Sequence, residues 1–407
     1  MSGRLNWLLA SSAMSNLGDG VGKVAFPLLA ATLTRDPVLI AGLAATQFLP
    51  WLLFAMLTGA LMDRVDRRRA MIVANVARAV VVAGLGGLVL AGAASIWLIY
   101  VAALLIGSAE TVADSAANVL IPSVVDREGL EGANSRLQAV EIVGQTFLGG
   151  PVGSLTFAVF AAFPFLLNSL GFAVAAALLL GMAGGYRPQR DTEPADPARA
   201  VGLRVDLGDG LRWLRRDPLM SRLVVVVGTL SLAIELAQAQ LVLYALEDLR
   251  LSEAAFGVFA LTGGIGGLAG AGLAPRVIRR GGRRGVLCGS IAATGVAFLA
   301  MGLVADVVLA AALFGLFGAA IVSGNVVLAT LRHILVPDGL LGRVLGVWRS
   351  VAWGAIPVGA LLGGWLTKAL GGASATFALS GALQLLIAVM ALVLLRGHDL
   401  DPDTRAR

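Results

Sequence analysis

Gly59-Ala60-Leu61-Met62-Asp63-Arg64-Val65-Asp66-Arg67-Arg68-Arg69 stands between two apolar runs, near 38–62 and 70–91. Each run has the roughly 20 residues that an α-helix needs to cross the hydrocarbon core of a bilayer. The stretch itself is the opposite, with four arginines and two aspartates crowded into its last seven residues. A charge at the bilayer centre costs on the order of 3 kcal/mol on insertion scales, so this segment reads as a loop at a membrane face. Working outward, apolar runs give six spans near 7–33, 38–62, 70–91, 96–121, 134–158 and 160–183. A polar stretch from Gly184 to Pro218 follows, then six more near 220–246, 253–278, 283–304, 307–333, 343–367 and 373–395.

Composition agrees. Of 407 residues, 58% are hydrophobic and 14% charged, where soluble domains carry about 25% charged residues. Lipid is therefore the solvent for most of the chain, which excludes a soluble enzyme and a disordered or fibrous protein. A pI near 10.3 does not argue for nucleic acid, because the net charge of +6 is small for this length. Cys288 is the single cysteine, and His333 and His398 are the only histidines. They leave no disulfide framework, redox pair or metal cluster, and no cofactor is expected. The first span is too long for a signal-peptide core and lacks a cleavage signal, so it is kept as a helix.

Orientation comes from the basic residues. With the N-terminus placed in the cytoplasm and the spans alternating, the outside loops hold only Arg35, Arg250 and Lys368, and Lys23 and Arg78 lie within spans. All other Lys and Arg residues fall on the cytoplasmic side. The expected protein is an all-α integral membrane protein of twelve transmembrane helices with both termini cytoplasmic. Its expected parts are an N-terminal six-helix bundle (1–184), a cytoplasmic linker (185–218) and a C-terminal six-helix bundle (219–407). Leu207 to Arg216 can form a short interfacial amphipathic helix anchored by Trp213, or the region is a plain linker.

The two halves repeat. The opening stretch has an echo in Gly272-Leu273-Ala274-Pro275-Arg276-Val277-Ile278-Arg279-Arg280. Gly129-Leu130-Glu131-Gly132 matches Gly339-Leu340-Leu341-Gly342, and each is followed by Pro-Val-Gly, at Pro151 and Pro357. Matches at an offset of about 210 residues, six helices apart, imply two pseudo-symmetric bundles related by an axis along the membrane normal.

The pattern Gly59-x-x-x-Asp63-Arg64-x-x-Arg67-Arg68 resembles the loop motif between helices 2 and 3 of the major facilitator superfamily, departing at Asp66, where glycine is usual. The resemblance extends through Gly18-Asp19, Ile121-Pro122, Gly132-Ala133-Asn134, Gly150-Pro151 and Asp209 to Arg216. That set is similar to the efflux branch containing macrolide exporters and the enterobactin exporter. It implies a central cavity lined by helices 1, 4, 7 and 10, with two halves that rock about it. It also implies a gating role for Gly59, Asp63, Arg64, Arg67 and Arg68, with Asp63 latching the cytoplasmic side in the outward-open state. For any single arginine of the loop, a plain topology signal is the favoured reading. Gly150-Pro151 is expected to bend helix 5. It matches the antiporter motif only in part, since Ser154 and Leu155 stand where glycines are usual.

Charges inside the spans mark the candidate site: Asp19 and Lys23 in helix 1, Arg78 in helix 3, Glu110 and Asp114 in helix 4, Glu141 in helix 5 and Glu235 in helix 7. Helical spacing groups them into polar stripes. These are Ser12-Asn16-Asp19-Lys23, Asn134-Gln138-Glu141-Gln145, Glu110-Asp114-Asn118 and Ser231-Glu235-Gln238. Narrow stripes on otherwise apolar helices converge on a water-filled interior or on one another. Carboxylates without counter-ions in such a cavity can exchange protons near neutral pH, where proton and cationic substrate compete. Asp19, Glu110 and Glu235 are the leading candidates. Bland alternatives stand beside them: an Asp19–Lys23 i,i+4 pair, a fixed network of Asp114, Glu141 and Arg78, and pairing of Glu110 or Glu235 across helices. Trp348 and Trp353 either stack on an aromatic substrate or pack.

The reading that follows is a secondary transporter, not an enzyme, exporting an amphiphilic small molecule against inward proton flow. Its partners are a small-molecule substrate, protons and the lipid bilayer, with no nucleic acid, and it is expected as a monomer in the cell membrane. Metabolite uptake by symport, and a lipid-moving or non-transporting membrane protein, are the alternatives. No Walker motif occurs, so ATP is not expected as the direct energy source.

Overall fold

The computed structural model describes residues 3–62, 65–125, 130–182, 184, 186, 211–337, 340–397 and 400. Among the described residues regular structure is helical throughout: α1 (Gly3–Leu33), α2 (Pro37–Met62), α3 (Arg67–Leu90), α4 (Ile96–Leu120), α5 (Leu130–Glu141), α6 (Gly150–Val159), α7 (Phe163–Leu180), α8 (Pro218–Gln238), α9 (Glu253–Leu303), α10 (Val307–Leu335), α11 (Leu341–Leu370) and α12 (Ala373–Leu394). A π-helical segment, Ile142–Gly149, joins α5 to α6, so the three pieces make one span. Ten helices among the described residues are long and apolar enough to cross a membrane. One of them, α9, has 51 residues. At 1.5 Å per residue it would reach about 75 Å, more than twice the ~30 Å hydrocarbon core. It breaks at Gly282 (φ 69°, ψ 162°), a conformation that glycine adopts without a Cβ clash, and so holds two spans. The 31-residue α1, diluted by its polar stripe, supplies the twelfth.

The chain divides into two compact units. The first contains α1 to α7 together with residues 245–261; the second contains residues 191–244 and 262–407. Segment 245–261 therefore groups with the first unit and not with its neighbours in sequence. Ser154 Oγ donates to the Pro151 carbonyl (3.1 Å) and to that of Ala254 (3.2 Å), and Arg35 meets Glu247 at 3.5 Å on the surface.

Within the first unit, α1 packs against the α5–α6 span through bare backbone. A Cβ on Gly20 would lie 2.6 Å from the Gln145 carbonyl oxygen, and one on Gly149 would lie 2.4 Å from Gly20 Cα. No other residue permits that approach. The π segment ends directly before Gly150-Pro151. Proline lacks an N–H and crowds the carbonyl one turn back, and a wider turn relieves both. Where the sequence leads one to expect a bend in helix 5, the chain winds as a π-helical segment.

Helix ends are held by charged side chains. Asp66 caps α3, accepting from the backbone N–H of Arg69 (2.9 Å) and of Tyr186 (3.0 Å). Burial works against this carboxylate's charge, but the N–H donors and Arg69 prevail and hold its pKa below the ordinary aspartate value. Arg67 donates to Val119 O and Ser123 Oγ, both at 3.3 Å, at the end of α4. Arg68 donates to Leu179 O (2.7 Å) and Leu180 O (2.9 Å) at the end of α7. These two arginines therefore do more than signal topology: they satisfy orphan helix carbonyls and oppose the negative end of the helix dipole. The second unit repeats the device. Arg284 donates to Leu392 O (3.0 Å), Arg222 to Leu394 O (2.8 Å) and Arg283 to Leu400 O (3.0 Å), around the end of α12.

Residues 211–216 are helical, with Leu214 buried and Arg212, Arg215 and Arg216 exposed, which makes this turn amphipathic. The remainder of the proposed interfacial helix, 207–210, lies outside the described residues, as do Asp63, Arg64 and most of the linker. Gly59 lies in α2, and nothing further is described at its position.

Candidate functional site

Asp19 and Arg78 form an ion pair between α1 and α3, on which the site is built. Arg78 has no exposed surface, and Asp19 is buried. The guanidinium also donates from Nη1 to Ser15 Oγ at 2.9 Å and lies 4.0 Å from the centroid of the Phe172 ring of α7. Ser15 Oγ in turn donates to Asn75 Oδ1 at 3.3 Å. A buried arginine must keep its charge, so it needs these partners; among the described residues its Nε alone of the three nitrogens meets neither a hydrogen-bond acceptor nor the carboxylate. The i,i+4 partner anticipated for Asp19, Lys23, is exposed and points elsewhere.

Lys23 donates from Nζ to Gln145 Oε1 in the π segment. Gln145 Nε2 donates to Asn16 Oδ1 at 2.7 Å, and Asn16 Nδ2 to the Ser12 carbonyl at 2.8 Å. One glutamine thus ties two residues of the α1 stripe to the α5–α6 span. Gln138 and Glu141 are exposed, and the side chain of Asn134 lies outside the described residues. The expected stripe does not arrive at α1 as a unit, because a helix with i→i+5 bonds turns less per residue and shifts Gln145 out of register with Glu141.

Glu110 and Asp114 on α4 are half-buried and lie within electrostatic reach of each other and of Arg78. Asp114 also lies within reach of Glu141 and Lys23. Side chains from α1, α3, α4 and α5 thus converge, four carboxylates with two cations, and one cation is already engaged by Asp19. Asn118 sits apart, exposed, donating to the Asp114 carbonyl at 2.9 Å.

In the second unit, Glu235 of α8 is half-buried where α11 crosses closely. A Cβ on Gly359 would lie 3.0 Å from Glu235 Cβ and 2.5 Å from the Leu232 carbonyl oxygen. Among the described residues no ion pair or side-chain hydrogen bond reaches Glu235. Nearby Gln238 keeps a buried Oε1 without a partner. Trp348 is buried beneath Arg332, whose guanidinium carbon lies 4.9 Å from the ring centroid, and Arg349 stands 5.6 Å from that of Trp353.

Sequence reasoning missed Ser15, Asn75 and Phe172 as partners of Arg78. Two of them had a signal: Asn75 and Arg78 share a face at i,i+3 in an otherwise apolar span, and Ser15 is i,i+4 to Asp19. Phe172 had none.

The membrane-crossing helices among the described residues make this a multi-pass membrane protein, and comparison with known proteins identifies it as a major facilitator superfamily transporter. The match to the transmembrane secretion effector family covers residues 3–406, and the chain belongs to that family. It is 26% identical over 412 residues to the multidrug efflux pump Tap of Mycolicibacterium fortuitum, covering 98% of this chain and 97% of that one. It is 28% identical over 416 residues to the multidrug efflux pump Tap of Mycobacterium tuberculosis (strain ATCC 25618 / H37Rv), covering 97% and 95%. Among solved structures, a point mutant of the nucleoside transporter NupG superposes with a TM-score of 0.81 at 12% identity, over 97% of this chain and 100% of that one. At that identity the likeness shows the fold alone.

Proposed function

We propose that the protein exports amphiphilic small molecules in exchange for protons, by alternating access, as a monomer with both termini in the cytoplasm. The observation that carries this reading is the excess of carboxylates where α1, α3, α4 and α5 meet. The names of the relatives, multidrug efflux pumps, favour export as the direction.

The residues divide the work. Arg78 serves Asp19 as a fixed, buried counter-ion, which sets Asp19 apart from the proton-carrying set. Glu110 and Asp114 then face one another with too little positive charge nearby. A proton or a substrate cation can satisfy either, but not both at once, and that competition couples the two fluxes. Glu235 offers a second lone carboxylate on the other unit. Lys23 and Gln145 tie α1 to the π segment, while Gly150 and Pro151 keep that segment wound wide. Gly59, Asp63, Arg64, Arg67 and Arg68 serve the gate at the cytoplasmic loop, where Arg67 and Arg68 anchor it through the helix ends they cap.

Everted membrane vesicles carrying the protein and a preformed proton gradient test this reading. Internal pH is followed with a dye while macrolides, lipophilic cations and siderophores are added. Proton release on adding a compound, lost in Asp114→Asn and Glu110→Gln, is the expected result. Silence toward every compound, with the protein shown to be inserted, would refute drug–proton exchange.

A further inference from the structure

Two arginines of the second unit stand apart from those that close helix ends. Arg332, in the last turn of α10, is half-buried, and Arg349 stands more than two turns past Leu341, the first residue of α11. Each guanidinium lies over an indole ring of α11, Arg332 over the buried Trp348 and Arg349 over the half-buried Trp353. The two cations are also within electrostatic reach of one another. Among the described residues neither side chain makes an ion pair or a hydrogen bond. From Val307 to His398 the sequence holds a single acidic residue, Asp338, which lies outside the described residues.

Like charges held close repel, and an anion placed between them recovers that cost. Stacking decides which part of each arginine is left to meet it. A ring on the flat face leaves the N–H edge of the guanidinium, whose fork matches two oxygens of a carboxylate, sulfonate or phosphate. The surroundings keep that edge accessible. Val344, Val347 and Trp348 are buried, and at about 100° per residue all three lie roughly 100° or more round the helix from the exposed Arg349. Apolar surface adjoins the charge: Trp353 and Ile356 follow Arg349 at i+4 and i+7 on one face of α11, ahead of Pro357, and both are half-buried.

We propose that Arg332 and Arg349 form a binding site for the oxyanion of an amphiphilic small molecule, whose apolar body lies along Trp353 and Ile356. The two guanidiniums share the oxyanion, and Trp348 and Trp353 hold them in place. The second unit thereby recognises charge of the opposite sign from the one that suits the carboxylate cluster of the first. The inference concerns binding alone and rests neither on proton exchange nor on the direction of transport.

Equilibrium dialysis of the full-length protein in a non-ionic detergent, against matched empty micelles, tests the site with 2-naphthalenesulfonate as the probe. Wild type should bind it saturably, and should bind 2-naphthalenemethanol, the same rings without the charge, about tenfold more weakly or less. Arg332→Gln and Arg349→Gln should each weaken binding of the sulfonate by about tenfold or more, as expected for loss of a charged hydrogen bond. Arg349→Lys should recover part of that loss, because it keeps the charge without the fork. Arg279→Gln, which removes an exposed arginine elsewhere in the second unit, should leave affinity within about twofold of wild type. Arg349 is exposed, so its variants should unfold thermally like wild type. No saturable binding by wild type, undiminished binding in a stably folded Arg349→Gln, or equal binding of the uncharged alcohol would overturn the site. A gain of about tenfold in Asp338→Asn would also overturn it, by showing that the chain's own carboxylate fills the space between the arginines. Displacement of the probe by sodium sulfate at equal concentration, or by phosphatidylglycerol but not phosphatidylcholine, would overturn the assignment to an amphiphilic small molecule.

Discussion

Arg78 reaches from α3 to Asp19 on α1, with no surface of its own exposed, and the two form an ion pair in the interior of the first unit. Such a pair adds little net stability when intact, since desolvating both charges offsets most of their attraction. Breaking it on one side is another matter. Asp19→Asn leaves a buried guanidinium without its counter-charge, and we expect a loss of about 3–5 kcal/mol. Asp19→Asn combined with Arg78→Gln should recover a large part of that loss. Thermal unfolding of the purified single and double variants measures the coupling, and an additive double variant would show that the pair does not act as one unit.

Glu235→Gln should behave in the opposite way. Among the described residues no ion pair is broken by that change, so unfolding should stay within about 0.5 kcal/mol of wild type. Compound-driven proton release in everted vesicles should nevertheless change. A variant that is both stable and unaltered in transport would remove Glu235 from the proposed site.

Gly20 offers a test of the α1 crossing. Gly20→Ala brings a methyl group against the Gln145 carbonyl oxygen, and overpacking of this kind costs about 1–3 kcal/mol. Gly84→Ala, where nothing lies within 4 Å of the added carbon, should be neutral or slightly stabilising because alanine favours the helix. Unfolding curves for the two variants compare them directly.

Asp66 gives a pH dependence. Its pKa in the folded protein lies below the ordinary aspartate value, so its contribution is fully present above the unfolded pKa of about 4. The contribution fades as pH falls through the lower, folded value. Asp66→Ala should cost about 1 kcal/mol at neutral pH, as expected for loss of an N-cap. The gap between wild type and variant should stay constant from neutral pH down to the unfolded pKa and close only in stronger acid. A gap that closes near neutral pH would mean that another group is responsible.

Much of the fold was legible because the informative properties are local. A span is recognised by its own length and hydropathy, whatever it packs against, and the loop between Gly59 and Arg69 is recognised by charges that lipid cannot hold. The polar stripe of α1 was readable for the same reason, since helical period alone places Ser12, Asn16, Asp19 and Lys23 near one face. Partner choice was not readable. Asp19 had Lys23 one turn away, yet it pairs with Arg78, 59 positions on in the chain, because α1 and α3 both pack against α7, which buries that arginine at the height of Asp19. Gln145 reaches Lys23 and Asn16 only because Ile142–Gly149 winds as a π-helix against a glycine-only crossing. Arg67 and Arg68 looked like topology signals until the ends of α4 and α7 were seen beside them. The sequence by itself determined which segments enter the membrane and which faces are polar, since both follow from solvation and helical period. Which charges neutralise each other was decided only by tertiary structure, because electrostatic pairing depends on distances that neighbouring helices set.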